Sequence, residues 1–146
     1  DGIIYKGVSE EPRKLAGGSA AQSSLFQALD AGLGIVHEHD DSRPFLLAMR
    51  AHMPPAHRHF IEDLECHTPI RAFVLDQRRS HPRLRESYGA CITSLDHFRK
   101  VHFELAIRYI TKHAPDPAVA RGTGGTELAR FLRTTREETK ASRIEE

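Results

Sequence analysis

The longest periodic stretch of the chain runs from about Pro82 to His113. Its apolar positions Leu84, Tyr88, Cys91, Leu95, Phe98, Leu105 and Tyr109 recur in steps of three, four and seven. That is the repeat of one helix face. A helix of this length extends about 48 Å at 1.5 Å per residue, so in a compact domain it runs through the core. This element commits the chain to a helical architecture in which shorter helices pack around one long one.

The remaining sequence reads the same way. Residues 1–18 are expected to be irregular, with Pro12 and the Gly17-Gly18 pair. Ser19 reads as the N-cap of a helix reaching about Leu33, with Leu25, Phe26, Leu29 and Leu33 on one face and Gly32 and Gly34 ending it. The segment "HEHDDS" (37–42) reads as a polar loop, with Ser42 capping a helix over Phe45–His52. Pro54-Pro55 breaks the chain and restarts it, because proline fits a first helical turn. Phe60, Ile61 and Leu64 mark the helix that follows, and Thr68-Pro69 opens a short one carrying Ile70, Phe73 and Val74. Residues 114–125 read as a mobile Pro/Gly loop. Thr126 then caps a last helix bearing Leu128, Phe131, Leu132 and Thr135, and the tail "ETKASRIEE" reads as a solvated end. No segment reads as a strand or a repeat. The expected fold is all-α, in one domain over residues 1–146.

Charge and composition exclude several classes of function. With 21 basic against 20 acidic residues the net charge is +1, which removes the bulk electrostatic case for nucleic acid or an acidic membrane surface. At 39% hydrophobic and 28% charged residues the chain can bury a core. No apolar run approaches the roughly 20 residues of a membrane span, and no signal peptide is visible. Cys66 and Cys91 lack metal-type spacing, so a reducing, cytoplasmic setting is expected. The chain begins Asp1-Gly2-Ile3-Ile4-Tyr5 without a methionine, as expected of a cleaved piece, a truncated chain or one part of a split protein.

Two features carry chemistry. "RGTGGTE" (121–127) has the glycines, hydroxyls and arginine of an anion-binding loop, although it lacks the lysine and preceding strand of a nucleotide-binding one. The second feature is His102. Most of the ten histidines lie in polar loops or at element ends: His37 and His39 in the acidic loop, His52, His57 and His59 around the double proline, and His67, His81 and His113 at termini. Surface or structural roles are expected for these, and no zinc signature is present. His102, by contrast, falls on the apolar stripe, four residues after Phe98 and three before Leu105. Such a residue is either a hydrogen-bonded core histidine or an axial haem ligand, since one neutral imidazole projecting into an apolar cavity holds haem iron. Arg99, at i−3, flanks the same face. It is placed to meet a haem propionate or, on the bland reading, Asp96 or Glu104 at the surface.

Four blocks decide between these readings. "AGGSAAQSSLFQALDAGLGI" (16–35), "MRAHMPPAHRHFIEDLE" (49–65), "FRKVHFELAIRYI" (98–110) and "RGTGGTELARFLRTTREET" (121–139) occur in one order across nearly the whole chain. Together they resemble the C-terminal region of the indoleamine 2,3-dioxygenases. The resemblance implies an all-α domain with one haem b, and a reaction of dioxygen with L-tryptophan or a related indole that yields N-formylkynurenine. It implies His102 as the proximal iron ligand, with Arg99, Phe26, Asp30 and Gly18 at the cofactor. It implies Ser19 and Ala20 beside bound substrate, and Gly122, Thr123 and Gly124 as the loop closing over it, where Thr123 meets the amino acid end. Phe26 also reads as simple core and Asp30 as a solvated charge.

In the family, the residues that cover the indole and grip its carboxylate precede the matched stretch. An N-terminal portion of the same protein or a partner chain is therefore expected to complete the pocket. A non-catalytic haem and oxygen-binding protein on the same scaffold is the competing expectation. An anion-binding helical module using Arg121–Thr126 is a third.

Overall fold

The computed structural model describes residues 23–37, 42–113 and 128–145. Six α-helices occur among them: α1 (Ser24–Leu33), α2 (Ser42–Met49), α3 (Pro55–Glu65), α4 (Ile70–Gln77), α5 (Pro82–His113) and α6 (Leu128–Ala141). A short 3-10 turn, Arg50–His52, links α2 to α3. No strand occurs among the described residues. None of their helices is long and apolar enough to cross a membrane.

The boundaries follow local chemistry. Ser23 caps α1 by accepting from the Phe26 amide, a turn later than the expected Ser19. Gly34 ends it at φ 75, donating back to the carbonyls of Asp30 and Ala31. A side chain at Gly34 would put its Cβ only 2.9 Å from the Pro69 Cβ, so the left-handed turn also lets the start of α4 approach. Pro55 occupies the first turn of α3 behind Pro54, as expected. The helix expected over Phe45–His52 instead starts at Ser42 and tightens into the 3-10 turn after Met49.

Helix α5 is the spine. It packs against α6 along one side and α4 along another, while α1 lies against α3 and α4. The core consists of Ile35, Val74, Tyr88, Ile92 and Leu95, with Leu29, Leu33, Leu84 and Ile144 packed against it. Tyr88 spends its hydroxyl on the carbonyls of Leu33 (3.1 Å) and Ser142 (3.3 Å), which fastens α5 to the ends of α1 and α6. Arg71 donates to the same Ser142 carbonyl at 3.1 Å. The tail expected to be solvated is thus partly buried: Thr139 is 0% exposed and Ser142 6%. Polar side chains at the end of α6 are held by hydrogen bonds, which hydropathy cannot register.

The expected apolar stripe of α5 holds only in part. Tyr88 and Leu95 are buried, but Cys91 is exposed, and Phe98 and Leu105 remain 44% and 57% exposed. The buried line is Tyr88, Ile92, Leu95 and Arg99. Helix α1 shows the same inversion, burying Gln27 and Asp30 while Leu25 is 58% exposed. Between α1 and α5 runs an open apolar groove of about 520 Å³, lined by residues including Leu25, Leu29, Leu33, Leu95 and Phe98.

Candidate functional site

The helical repeat of α5 sets Phe98, Arg99 and His102 on adjoining turns facing α1. Phe26 of α1 stacks on Phe98 with ring centroids 5.3 Å apart and lies tilted against the His102 ring at 5.5 Å. The Arg99 guanidinium sits 5.4 Å from the centroid of the same Phe26 ring. One aromatic ring from α1 therefore touches all three side chains.

The Nδ1 atom of His102 is buried and has no hydrogen-bond partner. Burial also pushes its pKa below the ordinary 6.5, because a cation there would lose water without gaining a counter-charge. The ring is held in the neutral form, the form that ligates a metal. Beside it Phe98, Val101 and Leu105 leave an apolar face uncovered. A haem asks its protein for one imidazole nitrogen and an apolar wall. His102 and this face supply both. Among the described residues no three His, Cys, Asp or Glu side chains gather into a metal-binding cluster.

Behind the ring lies a network of buried charge. Arg99 is 3% exposed. Its Nη2 donates to Asp30 Oδ1, and its Nη1 donates to the Thr139 hydroxyl and, at 2.9 Å, to the Thr135 carbonyl. The second Asp30 oxygen meets His37 Nε2 at 2.9 Å, and His37 Nδ1 meets Glu138 Oε2 at 2.6 Å. Side-chain exposure is 6% for His37 and for Glu138, and 9% for Asp30. Burial opposes protonation of His37, but the hydrogen bonds and charges of Asp30 and Glu138 outweigh it and raise the imidazole to about 9. Asp30 therefore meets two cations, Arg99 and His37, and His37 carries the contact on to Glu138.

Of the expected site residues, His102, Arg99, Phe26 and Asp30 come together here. Two expectations for Arg99 and Asp30 are corrected. Asp30 is a buried partner of Arg99 and His37 rather than a solvated charge. The expected surface partners of Arg99 are taken elsewhere, Asp96 by Arg136 at 2.6 Å and Glu104 by Lys100 at 3.8 Å. Its terminal nitrogens donate to Asp30 and α6, while its buried Nε has no hydrogen-bond partner. Gly18, Ser19, Ala20, Gly122, Thr123 and Gly124, with the rest of the Arg121–Thr126 loop, lie outside the described residues. Sequence reasoning missed His37 and Glu138, whose pairing spans 101 residues. A faint signal was available in Asp30, an acidic residue one turn after Phe26 that local pattern alone could not assign to a buried face.

Comparison with known proteins concerns nearly the whole chain. The family model described as indoleamine 2,3-dioxygenase matches residues 1–142. Indoleamine 2,3-dioxygenase 1 of Rattus norvegicus is 40% identical over 154 residues, covering 96% of this chain and 37% of the rat protein. Indoleamine 2,3-dioxygenase 2 of Homo sapiens is 38% identical, covering 97% of the chain and 37% of its own length. A myoglobin of Haliotis madaka is 32% identical, covering 95% and 37%. The chain spans little more than a third of the length of these relatives. A helical frame built on one long helix, the sequence blocks around it and a family match running from residue 1 to residue 142 agree: the chain belongs to the indoleamine 2,3-dioxygenase family.

Proposed function

We propose that residues 1–146 are the C-terminal, proximal part of a large helical haem domain in a haem-dependent dioxygenase. The enzyme inserts dioxygen across the indole C2–C3 bond of L-tryptophan or a related indole, and both oxygen atoms end in N-formylkynurenine. His102 carries this reading: a neutral imidazole with an unpartnered buried nitrogen, beside an uncovered apolar face.

When bound, haem b supplies the redox-active iron on which dioxygen chemistry depends. His102 is the residue that would hold it. Phe26 and Phe98 offer apolar surface beside the imidazole and keep water from it. Arg99, anchored by Asp30, Thr135 and Thr139, fixes the helical turn that presents His102. By resemblance, Gly18, Ser19 and Ala20 line the substrate side, and Thr123 between Gly122 and Gly124 closes over the amino acid end of the indole. Closure excludes water and orients the substrate. The N-terminal portion of the same protein, or a partner chain, completes the pocket, and a cytoplasmic location is part of the same reading.

A second reading, a non-catalytic haem protein that binds oxygen, is favoured by the similarity to a protein named myoglobin. One experiment separates them. The full-length protein is reconstituted with haem, and a Soret band is expected that His102→Ala abolishes. Unchanged ligation in that variant would sink the assignment of His102. Addition of L-tryptophan, ascorbate and oxygen yields N-formylkynurenine only on the dioxygenase reading.

A further inference from the structure

The bridge from Asp30 through His37 to Glu138 has no part in the ligation described above. His37 follows the left-handed turn at Gly34, which carries the chain off the end of α1 and back toward α6. Its two ring nitrogens are each given to a different carboxylate, on α1 and on α6. Without a charge on His37, buried Asp30 would lose one of the two cations that hold it, and Glu138 would lose its charged contact with α1 through the bridge.

We propose that His37 is a positioning residue for the haem-ligand turn: by bridging Asp30 and Glu138 it fixes the carboxylate that orients Arg99, and through Arg99 and Phe26 it sets His102. This rests on the haem reading of His102. The coupling has two routes. Arg99 and His102 share adjoining turns of α5, and Phe26 touches both the Arg99 guanidinium and the His102 ring. Outer groups that orient a metal-ligating histidine act on affinity in this way.

The charged surroundings of His37 come from several elements. Asp30 of α1 and Glu138 of α6 contact it, and Arg99 of α5 lies beyond Asp30. It also lines a cavity of about 280 Å³ with Arg43, Arg50, Glu65 and His67. Arg50 in that cavity is paired with Glu65 at 2.7 Å, so the carboxylates that decide the His37 charge are Asp30 and Glu138. An amide at position 37 can reach one of them but brings no charge.

The test uses the full-length haem-loaded protein as wild type, H37Q and H37Q/E138Q, with haem release to excess apomyoglobin as the readout. Wild type is expected to release haem slowly near neutrality and faster as pH rises through about 9. H37Q is expected to release it about 10- to 100-fold faster at neutral pH, with no alkaline acceleration. H37Q/E138Q breaks the same bridge from both ends and is expected to add little to the loss in H37Q, because the contact that orients Asp30 is already gone. Release from H37Q that matches wild type in rate and pH profile overturns this inference alone. Equal loss of helical structure in H37Q and H37Q/E138Q overturns it too, because the role would then be general to the fold. Absence of a Soret band in the wild type overturns the haem reading, and this inference with it.

Discussion

Arg99 and Asp30, 69 residues apart in the chain, meet in a buried ion pair that ties α5 to α1. Neither charge is open to water; Arg99 relies on Asp30 for compensation, and Asp30 on both Arg99 and His37. Such a pair is costly to break from one side and cheap to replace whole, because removal of one partner leaves a bare charge in the interior.

Arg99→Leu is therefore expected to lower the stability of the haem-free protein by about 3–5 kcal/mol. Both side chains are almost fully buried, at 3% and 9% exposure, so solvent screening takes little from this figure. Asp30→Leu combined with Arg99→Leu should cost clearly less than the sum of the single changes, although His37 then loses one partner. Urea unfolding of the three variants measures both quantities. A loss in Arg99→Leu of no more than a surface pair, about 1 kcal/mol or less, would contradict the burial of the guanidinium.

Gly34→Ala meets two obstacles. The left-handed backbone at φ 75 disfavours any Cβ, and that Cβ would lie 2.9 Å from the Pro69 Cβ. A destabilisation of about 1–2 kcal/mol is expected from the backbone alone, with the contact adding to it. Thermal melting of Gly34→Ala, Pro69→Gly and the double variant separates the two parts, since removal of the Pro69 Cβ relieves that contact and leaves the backbone strain at Gly34 in place.

The pH dependence of stability has a defined sign. The folded chain keeps the His37 proton up to about 9, whereas an unfolded chain releases it near 6.5. The stabilisation is complete below 6.5 and is lost as pH rises through about 9. The melting temperature of the haem-free protein should fall across that window in wild type and fall less in His37→Gln. A wild-type profile flat through the window would show that the imidazole is not held as a cation.

The helical frame was legible because its signals are local. Pro54-Pro55 and Gly34 act through their own backbone, and the repeat from Leu84 to Leu95 depends only on helix geometry. Of the candidate site, the apolar repeat singled out His102, and the resemblance to the family supplied its expected role as haem ligand. What escaped depended on partners distant in sequence. Arg99 reads as a surface residue until Asp30 and α6 are placed around it, and Phe98 and Leu105 read as core although they lie on an open face. His37 sits in a polar loop by every local criterion, and only the arrival of Glu138 makes it an interior residue. The Gly18–Ala20 and Gly122–Gly124 roles rest on sequence resemblance.

The reach of the His37–Glu138 contact, 101 residues, also fixes an order of events. Such a contact cannot form before both residues have been synthesised, and its loop-closure entropy exceeds that of a local contact. During synthesis the helix bearing His102 leaves the ribosome before α6 does, with Arg99 and Asp30 still lacking Thr135, Thr139 and Glu138. Haem offered at that stage would meet an imidazole whose supporting turn is not yet braced. Completion of α6, rather than emergence of His102 itself, is thus the step that braces the turn carrying the proposed haem ligand.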